Sequence, residues 1–97
     1  MSEESQTWKS IRAMRVRLRD EFNVDGDELL RGLSDKSVFT HLEERRIRDI
    51  TDPKKRFDEL FDELFKKNPQ KHIESFLKTL TEMGRGDVVR VLQGKGI

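Results

Sequence analysis

The stretch "TDPKKRFDELFDELFKKNP", residues 51–69, constrains this chain more than any other. Asp52-Pro53 places a side-chain acceptor before a proline, the pairing favoured at a helix N-cap and first turn. Phe57, Leu60, Phe61, Leu64 and Phe65 follow at i, i+3, i+4, i+7 and i+8, one apolar face of a helix. Asn68-Pro69 repeats the start signal. Ile73, Phe76, Leu77, Leu80 and Met83 then mark a fifth helix, with Gly84 as its left-handed C-cap. Helices of this length draw their stability from packing an apolar stripe rather than from intrinsic propensity. The chain must therefore supply other helices to cover them.

Those helices are legible upstream. Trp8, Ile11, Met14, Leu18 and Phe22 step by three and four along a first helix. Val24 follows, and Asp25-Gly26-Asp27 breaks the pattern. A short second helix over Asp27 to Gly32 turns Leu29, Leu30 and Leu33 inward. Asp25, Asp27 and Glu28 suit the positive end of its dipole. Thr40-His41-Leu42-Glu43 has capping-box spacing and starts a short third helix. Its expected core residues are Leu42 and Ile47, with Ile50 a further candidate. A sixth helix over Asp87 to Gln93 offers Val88, Val91 and Leu92, and ends at Gly94 and Gly96. No strand pattern and no internal repeat are evident. Short loops favour near-antiparallel neighbours in an all-α bundle of six helices.

Length and composition fit one domain. The chain has 97 residues, 33% hydrophobic and 40% charged, a balance that raises disorder as the first alternative. Helical clustering of the apolar residues argues against it. Residues 1–6 read as a flexible lead-in, 7–93 as the domain and 94–97 as a flexible tail. With no cysteine, disulfides and thiolate metal sites are excluded. The opening "MSEESQTW" is acidic and polar, unlike a secretory signal. No apolar run approaches the ~20 residues that span a bilayer. A cytoplasmic protein with no membrane partner is the expectation. The 20 basic and 19 acidic residues leave a net charge of +1, which argues against bulk electrostatic binding to nucleic acid.

Catalytic constellations are missing from the sequence pattern. His41 and His72 have no histidine or carboxylate at metal-ligand spacing and read as exposed surface histidines. No serine lies in a glycine elbow, and Gly84-Arg85-Gly86 reads as a turn. Asp58 and Asp62 stand on the solvent side of the fourth helix. The reading is of a non-enzyme with no cofactor, no metal and no small-molecule substrate.

Charge pattern remains. Arg12, Arg15 and Arg19 form a stripe on the first helix, and Arg15 falls at the margin of the apolar arc, where its stem packs and its head reaches out. Lys54, Lys55 and Arg56 crowd the first turn of the fourth helix, where the dipole disfavours cations. Acidic groups gather on the second and third helices: Asp25, Asp27, Glu28, Asp35, Glu43 and Glu44. The plain alternative is that such clusters are solvated faces with no partner.

From about Trp8 to Leu92 the chain resembles a caspase recruitment domain (CARD), a branch of the death-fold superfamily. Four pieces carry the resemblance: the arginine-rich first helix running into "LRDEFNVDGDELLRGL", then "SDKSVFTHLEERRIRDI", "TDPKKRFDELFDEL" and "HIESFLKTLTEMGRGDVVRVL". The "NPQK" turn and Phe57 depart from the usual pattern. Death domains and death effector domains share the fold and stay open as relatives. The resemblance implies a six-helix antiparallel Greek-key bundle with a first helix that is often kinked. It implies homotypic docking, to another CARD or to itself, frequently in filaments, in apoptotic or inflammatory signalling. Carried over by position, the basic face is Arg12, Arg15, Arg19, Lys54, Lys55 and Arg56. The acidic face is Asp27, Glu28, Asp35, Glu43 and Glu44. A small helical nucleic-acid binder is the competing class. Near-zero net charge and the lack of grouped Asn or Gln on an exposed face weigh against it.

Overall fold

A computed structural model describes residues 6–94. The described residues form six α-helices and no strands: α1 (Gln6–Asp20), α2 (Gly26–Asp35), α3 (His41–Arg48), α4 (Pro53–Phe65), α5 (Pro69–Glu82) and α6 (Gly86–Leu92). The expected lead-in and tail lie outside the described residues, apart from Gln6 and Gly94. The radius of gyration, 12.6 Å, is near the ~13 Å of a compact chain of about 100 residues, so the high charge content does not expand the body.

The caps act as their sequence suggests. Asp52 Oδ1 accepts from the Lys54 N–H at 2.9 Å and Asn68 Oδ1 from the Gln70 N–H at 3.0 Å. Thr40 and Glu43 exchange both bonds of the capping box, at 3.1 and 2.9 Å. Gly84 ends α5 with φ 79°. The α1–α2 turn depends on Asn23, which takes φ 51° while the Val24 N–H bonds back to the Leu18 carbonyl at 2.9 Å.

Two local expectations are corrected. The second helix does not stop at Gly32 but runs to Asp35. Gly32 marks a close approach: a Cβ there would meet Thr79 Cγ2 of α5 at 2.4 Å. Leu42, expected in the core, is 74% exposed. It lies five residues from buried Ile47, about 140° around a helix, so the two cannot share a face.

An aromatic ladder on α4 organises the core. Phe61 stacks on Phe57 at 4.9 Å and meets Phe65 and Phe76 edge-on at 5.8 and 5.9 Å. Phe65 in turn meets Trp8 of α1 at 5.9 Å. These contacts tie α4 to α1 and α5, while α2 packs on α3, α4 and α5. Each buried aromatic pair adds about 0.5–1.5 kcal/mol beyond its area.

Candidate interaction surface

The fourth helix contains the repeat "FDELFDEL", residues 57–64. Positions four apart lie near one another on a helix, so each residue type draws its own stripe. The Phe and Leu stripes enter the core. Asp58 and Asp62 form one flank against α1, and Glu59 and Glu63 form the other against α3. This repeat is the signal that would have found the partners described next.

On the α1 flank, Arg15 donates to Asp62 Oδ1 at 2.8 Å and to the Asp58 carbonyl at 2.8 Å. Arg19 forks onto Asp58 at 2.8 and 2.9 Å and onto Asp20 at 2.8 and 3.1 Å. Its bond to Asp20 holds that carboxyl below the usual carboxylate range. The Arg12 and Arg15 guanidiniums lie over the Phe65 ring, at 4.9 and 5.7 Å from its centroid. Asp58 and Asp62 are thus half of an arginine seam rather than idle surface charges.

On the α3 flank, Arg46 bonds to Glu63, and Lys66 reaches the same carboxylate at 3.3 Å. Glu63 is 5% exposed, one of two buried polar residues among those described. Burial opposes its ionisation, but the Arg46 and Lys66 bonds prevail and hold its pKa down. Glu43 is held down in the same way: burial works against the bonds from Lys67, at 2.6 Å, and from the Thr40 N–H, and the bonds prevail. Glu44 bonds to Arg48 within α3.

At the start of α4 the three cations part company. Arg56 turns back onto Asp27, at 2.8 and 3.3 Å, and donates to the Ile50 carbonyl at 2.7 Å. This pair joins one member of the basic set to one member of the acidic set, so the two sets meet within the molecule. Lys54 and Lys55 are exposed and make no salt bridge among the described residues. Lys54 stands at the rim of a cleft of about 350 Å³ between the α1–α2 turn and α4, floored by Val24 and Phe57. On α2, Glu28 and Asp35 are likewise exposed without a salt bridge among the described residues.

Of the histidines, His41 is exposed, but His72 is half-buried, against expectation. Burial, then the charges of Lys71 and Lys67, push its pKa down. Among the described residues, no group of three or more His, Cys, Asp or Glu is placed to hold a metal, and no helix is long and apolar enough to cross a membrane. No protein-family model, curated protein or solved structure matches this chain.

Proposed function

We propose that this chain is a protein-docking module of the caspase recruitment type, built as an antiparallel Greek-key bundle, that binds a second copy of itself or a related helical domain. The observation that supports this reading best is the first turn of α4. There Lys54 and Lys55 stand exposed at the positive end of a helix, without a salt bridge among the described residues, while neighbouring Arg56 is drawn inward. Their placement costs helix stability, and a partner's carboxylates offset that cost. Glu28 and Asp35 on α2 are exposed carboxylates of the complementary sign. A contact between unlike surfaces is heterologous, and repeated without closure it builds a helical filament.

The reading narrows the sets named from sequence. Arg12, Arg15, Arg19, Arg56, Asp27, Glu43 and Glu44 already have partners within the chain, Arg12 at the Phe65 ring, so Lys54, Lys55, Glu28 and Asp35 carry the docking. The test is sedimentation velocity over a range of protein concentrations and salt. The wild type self-associates, or binds a homotypic partner, more weakly as salt rises, because opposed charges steer such encounters. The double reversal Lys54→Glu and Lys55→Glu weakens association about tenfold or more. A wild type that stays monomeric and binds no related domain overturns the reading. A gel shift with generic duplex DNA separates it from phosphate-backbone binding, which the same reversal would also weaken.

A further inference from the structure

A second feature of the surface lies apart from the two lysines. Between α2, the end of α3 and the start of α4 sits a hollow of about 270 Å³ lined by Asp27, Leu30, Arg31, Arg48 and Arg56. Three helices thus contribute one guanidinium each to a single concavity, against one lining carboxylate. The sequence hides this convergence, because the three arginines are far apart along the chain and the second and third helices read as acidic.

The three guanidiniums are not equivalent. Arg56 is fixed: the Ile50 carbonyl and Asp27 hold its fork, and its side chain is 20% exposed. Arg48 is looser, 51% exposed and bonded to Glu44 on its own helix, a pairing worth only a few tenths of a kcal/mol. Arg31 is exposed and makes no salt bridge among the described residues. Asp27 answers Arg56 and leaves Arg31 unanswered, although it stands one turn before Arg31 on α2. Buried Leu30 provides an apolar floor. The hollow therefore holds one anchored donor fork, one releasable fork and one open fork.

We infer that this hollow binds a phosphate-type dianion. A carboxylate presents two oxygens in a plane and is satisfied by one fork, as Asp27 is by Arg56. A tetrahedral phosphate presents oxygens in several directions and matches planar forks arriving from three helices. The volume falls below the roughly 300–1,000 Å³ typical of small-molecule pockets, so the hollow takes an anionic group rather than a whole drug-sized molecule. The group is either a soluble phosphate or a phospholipid headgroup, since both present the same chemistry.

The test titrates the full chain with inorganic phosphate, with sodium chloride at matched ionic strength as the control, followed by amide NMR shifts. Saturable shifts around Arg31 and Arg48 are expected with phosphate and not with chloride. Arg31→Gln and Arg48→Gln each weaken binding roughly tenfold, the loss of a charge-assisted fork. Arg31→Lys fails to restore it, because an ammonium lacks the planar fork. Circular dichroism of each variant checks that the helices persist, and Arg31, exposed and without a salt bridge among the described residues, leaves the fold untouched when changed. A second arm measures co-sedimentation with phosphatidylcholine vesicles with and without phosphatidic acid. Arginine-dependent binding to the acidic vesicles assigns the headgroup, and its absence alongside phosphate binding assigns the soluble anion. The inference is overturned if neither arm shows saturable binding, if chloride reproduces the response, or if Arg31→Gln and Arg48→Gln bind as the wild type does.

Discussion

The body of α4 and its first turn treat charge in opposite ways. In the body, Asp58, Asp62, Glu59 and Glu63 all meet arginines of α1 or α3. In the first turn, two of three adjacent cations, Lys54 and Lys55, form no salt bridge among the described residues. The same helix thus carries charge as internal stitching over two turns and as unspent surface over one. In a chain that is 40% charged, a cluster of one sign is weak evidence of a binding face. What carries information is the charge left over once the molecule's own pairs are formed.

The stitched side is expected to break most severely. Arg15→Glu sets a carboxylate beside Asp58 and Asp62 and removes a cation from the Phe65 ring. Because Arg15 keeps 24% of its side-chain surface in solvent, the loss is nearer about 2 kcal/mol than the 3–5 of a fully buried pair. That lowers the melting midpoint by about 10 °C, readable by calorimetry. Wild-type thermal stability in this variant would show that the seam is ornamental.

Steric stitching gives the next effect. Gly32→Ala drives a methyl against Thr79 Cγ2, and Thr79 is itself pinned by its bond to the Ser75 carbonyl at 2.7 Å. Alanine's better helix propensity returns about 1 kcal/mol. The overpacking costs about 1–3, so urea titration should show a net loss of about 1 kcal/mol.

Acid should undo the α3 flank through its carboxylates. Glu43 and Glu63 have folded pKa values below their ordinary ones. Each therefore adds stability that is complete above the unfolded value of about 4.3 and is lost as pH falls through the folded value. Melting midpoints from neutral pH downward should fall in that acid window, and less steeply for Glu63→Gln. An identical slope in that variant would mean the buried carboxylate does not carry the linkage.

The smallest effect on stability belongs to the first turn. Lys54→Glu with Lys55→Glu breaks no salt bridge among the described residues and improves the match to the helix dipole, a gain offset in part by losing the attraction of Lys54 for Asp20. It should leave stability unchanged or raise it by up to about 1 kcal/mol in low salt.

Much of the fold was legible because its signals are local. The Asp52-Pro53 and Asn68-Pro69 starts, the Thr40 capping box and the α4 stripe depend on residues within a turn or two of one another. What was not legible depends on the partner across the gap. Gly32 reads as a stop until Thr79 is seen against it, and Leu42 reads as core until its angle to Ile47 is measured. Asp58 and Asp62 read as solvent-facing until α1 brings Arg19 and Arg15 alongside. The candidate surface suffered most, because the sequence shows where charges sit and not which are already matched. Lys54 and Lys55 lie exposed as the sequence places them, whereas Arg56 turns in onto Asp27.

The most direct test of the leftover-charge account is a mixing experiment by sedimentation velocity. One variant carries Lys54→Glu and Lys55→Glu, the other Glu28→Lys and Asp35→Lys. Each alone should be monomeric at concentrations where the wild type associates, and the two together should associate, because each presents the sign that the other now requires. Assembly by either variant alone at wild-type strength, or none in the mixture, would contradict the account.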